Sequence, residues 1–174
     1  GQGVVRSLQA GSAEVNILNQ ANGAGLVELS GTDIQYQEGD LSLITEGQSS
    51  LSLTRSETGF VEGLSAHSTQ LRYQNAGEQL DLQGARADLA FNAEGQVSSL
   101  TGALDAGRFQ GSFGDVTLAE GALALNYDQG TLASLNGQVA QLQFRDLDNT
   151  LDLQGFNLNA QFNPRSEEHT SELQ

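Results

Sequence analysis

The stretch Gln79–Gly111 reads QLDLQGARADLAFN, then AEG, then QVSSLTGALDAGRFQG. Apolar and polar residues alternate along both halves, as in LDLQ and the run ending RFQG, which is the period of a strand and not of a helix. The AEG between them is a tight-turn signal, and each half carries a glycine near its middle. The stretch therefore reads as two long antiparallel segments joined by a hairpin turn.

The same unit recurs on both sides. Tyr73, Leu80, Leu82, Gly84 and Asn92 return 71 residues later as Phe144, Leu151, Leu153, Gly155 and Asn163. A half-step copy lies between, with Phe109, Val116 and Leu118 placed 36 residues after Tyr73, Leu80 and Leu82. The spacing from glycine to aromatic is 14 in Gly59–Tyr73, Gly95–Phe109 and Gly130–Phe144. A period of about 36 residues is that of a repeat architecture. Outside this region the pattern continues less regularly: Leu26–Gln37, Leu41–Arg55 and Phe60–Gln74 are extended, and Asn22–Gly25, Glu38–Asp40 and Ser56–Gly59 turn the chain. Eight or nine extended segments and no helix are expected.

Segment length poses a problem. Fourteen residues at a rise of ~3.3 Å would span roughly 46 Å, longer than an ordinary strand. The apolar anchors on either side of the central glycines supply the resolution. Leu82 and Leu89 are 7 apart, Leu118 and Leu123 are 5, Leu135 and Leu142 are 7, and Leu153 and Leu158 are 5. Odd separations would place the two halves of a straight strand on opposite faces. A bend or bulge at the glycine re-phases the strand, so that both halves turn their apolar residues the same way. Leu41–Arg55 is the exception, because Leu43 and Leu51 are an even distance apart.

The expected fold is all-β: an antiparallel meander of long glycine-bent strands forming a two-layer or trough-like repeat sheet, with a parallel β-solenoid as the alternative. Leu, Val, Phe and Ala would line the inside, and Gln, Ser, Asp, Arg and Thr the outside. The lining residues are Leu80, Leu82, Leu89, Phe91, Leu100, Phe109, Val116, Leu118, Leu123, Leu125, Leu135, Leu142, Phe144, Leu151 and Leu153. Residues 1–164 read as a single repetitive β-domain fragment.

The last ten residues, Arg165–Gln174 (RSEEHTSELQ), resemble the translation of a common short-read sequencing adapter. They are set aside as a non-native tail. The expectation is that the chain is a piece, open at both ends, of a longer reading frame assembled from metagenomic DNA.

Composition excludes several roles. The chain carries 22 acidic and 7 basic residues, a formal net charge of −15. Such a surface repels phosphate backbones and anionic membranes. With no cysteine there is neither a disulfide framework nor a thiolate metal site. No apolar run is long enough for a transmembrane helix.

Few residues suggest chemistry. His67, between Ser65 and Ser68, is the only histidine outside the tail, and it reads as a solvent-facing strand residue rather than a catalytic base. No GxSxG elbow accompanies it. Asp146, Asp148 and Asp152 could offer oxygens to calcium, but the spacing and glycine of an EF-hand loop are absent, so a turn is the plainer reading. Asn22–Gly25 lacks the lysine of a phosphate loop. Asp81 and Asp88 fall on repeated polar faces, which suits solvation better than acid–base work. No enzyme activity and no cofactor is expected.

The repeated apolar-x-Leu-x-Gly segments, the short turns and the lack of catalytic groups make Leu26–Asn163 resemble the repeating β-groove proteins of the Gram-negative envelope. These are the AsmA and TamB-like proteins and the lipopolysaccharide-bridge family typified by LptA. The resemblance implies a periplasmic lipid conduit with a role in outer-membrane biogenesis, formed by stacking strands into an apolar trough. Its partners would be lipid and neighbouring repeats of the same longer chain. It carries over no functional residue. The alternative expectation is a structural or adhesive repeat module of a secreted or surface protein, with a filled core.

Overall fold

The computed structural model describes residues 6–163. These form one antiparallel sheet of 11 strands: β1 (Arg6–Gln9), β2 (Ser12–Asn19), β3 (Gly25–Thr32), β4 (Gln35–Glu38), β5 (Leu41–Arg55), β6 (Val61–Asn75), β7 (Glu78–Phe91), β8 (Val97–Gly111), β9 (Gly114–Asp128), β10 (Thr131–Arg145) and β11 (Thr150–Gln161). The tail Arg165–Gln174 lies outside the described residues. β3 and β4 both pair with β5, β2 pairs with β3, and β1 with β4. The first four strands are thus two long ribbons, each broken once, and the sheet is a meander of nine ribbons. Every ladder is antiparallel, which removes the parallel-solenoid alternative.

The turns at one end of the sheet repeat. Gly23, Gly59 and Gly95 follow one another at 36-residue steps, and each donates its N–H to the carbonyl three residues earlier, at 3.0 Å. Asn22 Oδ1 accepts from Ala24 N–H, and Asn92 Oδ1 accepts from Glu94 and Gln96 N–H. These are the local side-chain bonds that make Asn a turn former.

A seam crosses the sheet at mid-strand. The β6–β7 ladder omits Thr69 and Gly84, the β7–β8 ladder omits Gly84 and Ala85 against Leu104 and Asp105, and the β8–β9 ladder omits Asp105 and Glu120. It continues through Ala140 and Gly155 between β9, β10 and β11. From β5 to β11 the seam residue has positive φ in alternate ribbons, at Gly47 (φ 76°), Gly84 (61°), Glu120 (50°) and Gly155 (64°), and the β3–β4 ribbon has it at Asp33 (50°). β6, β8 and β10 cross the seam at Thr69, Asp105 and Ala140 without it.

Each ribbon from β6 to β11 shifts its pleat by one residue at the seam. In β7 the apolar positions are Leu80 and Leu82 before Gly84, then Ala85, Ala87, Leu89 and Phe91 after it. A methyl group on Gly107 would lie 3.3 Å from a Leu82 methyl and 3.4 Å from a Leu104 methyl. Leu82 and Leu104 stand on opposite sides of the seam, so their convergence places both halves on one face. β5 explains its own irregularity. Its register against β6 shifts between Glu46 and Ser49, so it holds Gly47 and Gln48 where the others hold one residue.

The sheet is one layer, a bent trough and not two packed layers. Strands touch only their hydrogen-bonded neighbours. Among the described residues no hydrophobic side chain is fully buried. Cross-strand pairs, rather than a closed core, therefore hold the apolar face together. On the polar face, Arg72–Asp81 (2.8 Å) and Arg108–Asp115 (2.7 Å) are cross-strand ion pairs.

Candidate functional site: an apolar groove across the seam

The lining residues expected from sequence fall into ladders, because residues directly opposite in a sheet share a face. Leu80, Phe109, Val116, Phe144 and Leu151 form one row, continued by Tyr73. Leu82, Leu118, Leu142 and Leu153 form the next, continued by Leu71. Beyond the seam, Leu89, Leu100, Leu125 and Leu135 form a third row with Leu64. Leu123 stands between Gly102 and Gly137, and Phe91 faces Val97. All fifteen are half-buried except Leu123 and Leu151, which are exposed.

Between the second and third rows lies an open groove of about 670 Å³ with almost wholly apolar walls. Of the fifteen residues, Leu82, Leu118 and Leu123 line it. The rest flank it on the same face. The groove also uses Leu71, Leu104, Val139, Phe156 and Leu158, with Ala66, Ala85, Ala87 and Gly102 as a floor of small side chains. Sequence reasoning missed Leu104, Val139 and Phe156 because they sit beside the seam residues. Their signal was their offset, one residue from Asp105, Ala140 and Gly155.

One end of the groove is polar. Thr45 and Ser68 are the buried polar residues among those described. Thr45 Oγ1 accepts from Ile34 N–H at 3.0 Å, and the Ser49 and Ser68 hydroxyls are 2.9 Å apart. Their mutual bonding satisfies groups that would otherwise be costly beside apolar walls.

The opposite face is hollowed separately on either side of the seam. One hollow is lined by Arg72, Asp81, Gln83 and Arg108, the other by Arg86, Asp88, Asn136 and Asn159. The hydrogen bond from Arg108 holds Asp115 below the usual carboxylate range. Asp146 is also held low, because its carboxylate accepts from the N–H groups of Asp148 and Asn149.

The other candidates are not assembled into sites. His67 is exposed and stands opposite Ser50 and Arg86. Asp88 accepts from Ser65. Asp146 caps its own turn, and Asp152 accepts from Gln143 at 3.2 Å. Among the described residues no group of three or more His, Asp and Glu could hold a metal ion. No protein-family model, curated protein or solved structure matches the chain.

Proposed function

We propose that this chain is a non-catalytic segment of a large repetitive β-protein of the bacterial envelope, holding lipid acyl chains in its apolar groove. The observation that carries the reading is the groove itself: a continuous apolar hollow that crosses the seam, open to solvent, in a sheet with no buried apolar side chain among the described residues. An apolar hollow rimmed by polar residues is a surface of the kind that serves as a ligand-binding groove. An acyl chain needs an apolar wall and no hydrogen-bond partners, and that is what Leu71, Leu82, Leu104 and Leu118 offer. A structural or adhesive module would fill its interior instead, and the lack of a filled core weighs against that reading. The envelope setting is supported by the family resemblance alone, and fractionation of cells expressing the parent reading frame tests it.

The binding test is titration with cis-parinaric acid, whose fluorescence rises out of water. Saturable binding is expected, and Leu118→Asp in the groove wall should weaken it at least about tenfold, a loss of ~1.4 kcal/mol. Gln83→Asp on the opposite face should leave it unchanged. Binding that is absent, or equal in the two variants, contradicts the proposal.

A further inference from the structure

The seam sorts the ribbons into two kinds. Counted from the seam residue, β7, β9 and β11 carry their groove-face residues at −4, −2, +1, +3 and +5; in β11 these are Leu151, Leu153, Phe156, Leu158 and Ala160. β6, β8 and β10 carry them at −5, −3, −1, +2 and +4; in β8 these are Leu100, Gly102, Leu104, Gly107 and Phe109. The two patterns are mirror images. An antiparallel neighbour therefore matches faces with its seam aligned only if it is of the other kind. Every pair from β6 to β11 obeys this, with seam residue opposite seam residue.

Two polar cross-strand bonds follow the same rule, while Arg108 pairs with Asp115 two residues further on. The opposite kind places Arg72, Arg108 and Gln143 at +3, and the first kind places Asp81, Thr117 and Asp152 at −3. Arg72 bonds Asp81 and Gln143 bonds Asp152. Among the described residues no strand pairs with the outer edge of β11, and Leu151, Phe156 and Leu158 are between 44 and 49% exposed. Its only charge is Asp152, and a methyl on Gly155 would meet open space.

We propose that the outer edge of β11 is a selective strand-docking site. Its partner is an extended segment of the opposite kind, running antiparallel with its seam residue against Gly155. Five groove-face residues at −5, −3, −1, +2 and +4 continue the trough, and an arginine at +3 meets Asp152. Backbone pairing along the edge supplies affinity, and the alternate side chains supply selectivity. A segment of the same kind as β11 fails, because aligning the seams turns its apolar residues to the polar face. This recognition does not depend on what the groove binds.

The test uses peptides of this chain's own sequence added to the whole chain. A labelled peptide of β8 (Val97–Gly111) should bind saturably by fluorescence anisotropy and slow amide exchange across Thr150–Gln161. The same peptide with Arg108→Asp should bind about twofold to fivefold more weakly, the size of a cross-strand charge pair. A peptide of β9 (Gly114–Asp128), which is of the wrong kind, should neither bind nor protect β11. Equal binding of the β8 and β9 peptides, protection elsewhere in the sheet, or no binding by either overturns the proposal.

Discussion

β7 and β9 occupy equivalent places in successive repeats, yet they cross the seam differently. β7 crosses at Gly84 (φ 61°) and β9 at Glu120 (φ 50°), although Gly121 is the very next residue. An L side chain in this region costs roughly 1–2 kcal/mol, because Cβ crowds the following carbonyl. β9 accepts that strain rather than move its crossing by one residue. Moving it would put Leu123 and Leu125 on the polar face and break their ladders with Gly102 and Leu100. The comparison shows that the fold is governed by the pleat phase, and that glycine merely eases the phase change.

The sharpest way to break this comparison is to delete Gly84 altogether. Ala85, Ala87, Leu89 and Phe91 would then swap faces against β6 and β8, and loss of the cooperative unfolding transition is expected in a thermal melt followed by circular dichroism. A deletion tolerated with an unchanged melting temperature would mean that phase does not matter.

Substitution should be milder. Gly155→Ala meets open space, so its cost isolates backbone strain, about 1 kcal/mol by urea titration. Gly84→Ala should cost more, because the new methyl collides with the Asp105 side chain. Equal costs would remove the steric part of that account.

Glu120→Gly runs the comparison in reverse. It relieves the positive φ, and it takes one of two carboxylates from the seam where Asp105 and Glu120 come opposite each other. A gain of up to about 1 kcal/mol is expected, reduced by the greater freedom of glycine in the unfolded chain. A loss of stability would show that Glu120 makes a contact worth more than its strain.

The smallest effect belongs to the polar face. Arg108→Ala should cost the least of these changes, since the Arg108–Asp115 pair is partly exposed and screened by solvent. Its sign with pH is fixed by the direction of the shift. Asp115 is held below its usual value, so the pair contributes fully above the unfolded carboxylate pKa of about 4, and the contribution disappears as pH falls through the lower folded value. The stability gap between Arg108→Ala and the unchanged chain should therefore close in acid. A gap that widens in acid contradicts this assignment.

Much of the fold was legible because alternation and repeat spacing are direct records of pleat and hairpin. The odd spacing of Leu82 and Leu89 encoded the phase change. Other features left no such record. Leu26–Gln37 reads as one segment, and its break near Asp33 (φ 50°) appears only where Thr45 bonds Ile34. The even spacing of Leu43 and Leu51 hid a bulge, because two extra residues cancel in a count of parity. Alternation also shows that one face is apolar without showing what covers it, so a two-layer sheet and an open trough have the same sequence pattern. The groove was read only in part for a related reason. Its lining follows from distance to the seam, and seam positions occupied by Asp105, Glu120 and Ala140 carry no glycine to mark them.

The central claim is that every ribbon from β6 to β11 changes phase at the seam, so that both halves of the sheet share one apolar face. Methyl–methyl nuclear Overhauser effects of Leu104 test it directly, because Leu104 lies across the seam from Leu82 and Leu118. The account predicts cross peaks from Leu104 methyls to the methyls of both residues, which meet it around Gly107 and Gly121. A straight, unshifted sheet puts Leu104 on the other face from Leu82 and Leu118, and the absence of those cross peaks in the folded chain would contradict the account.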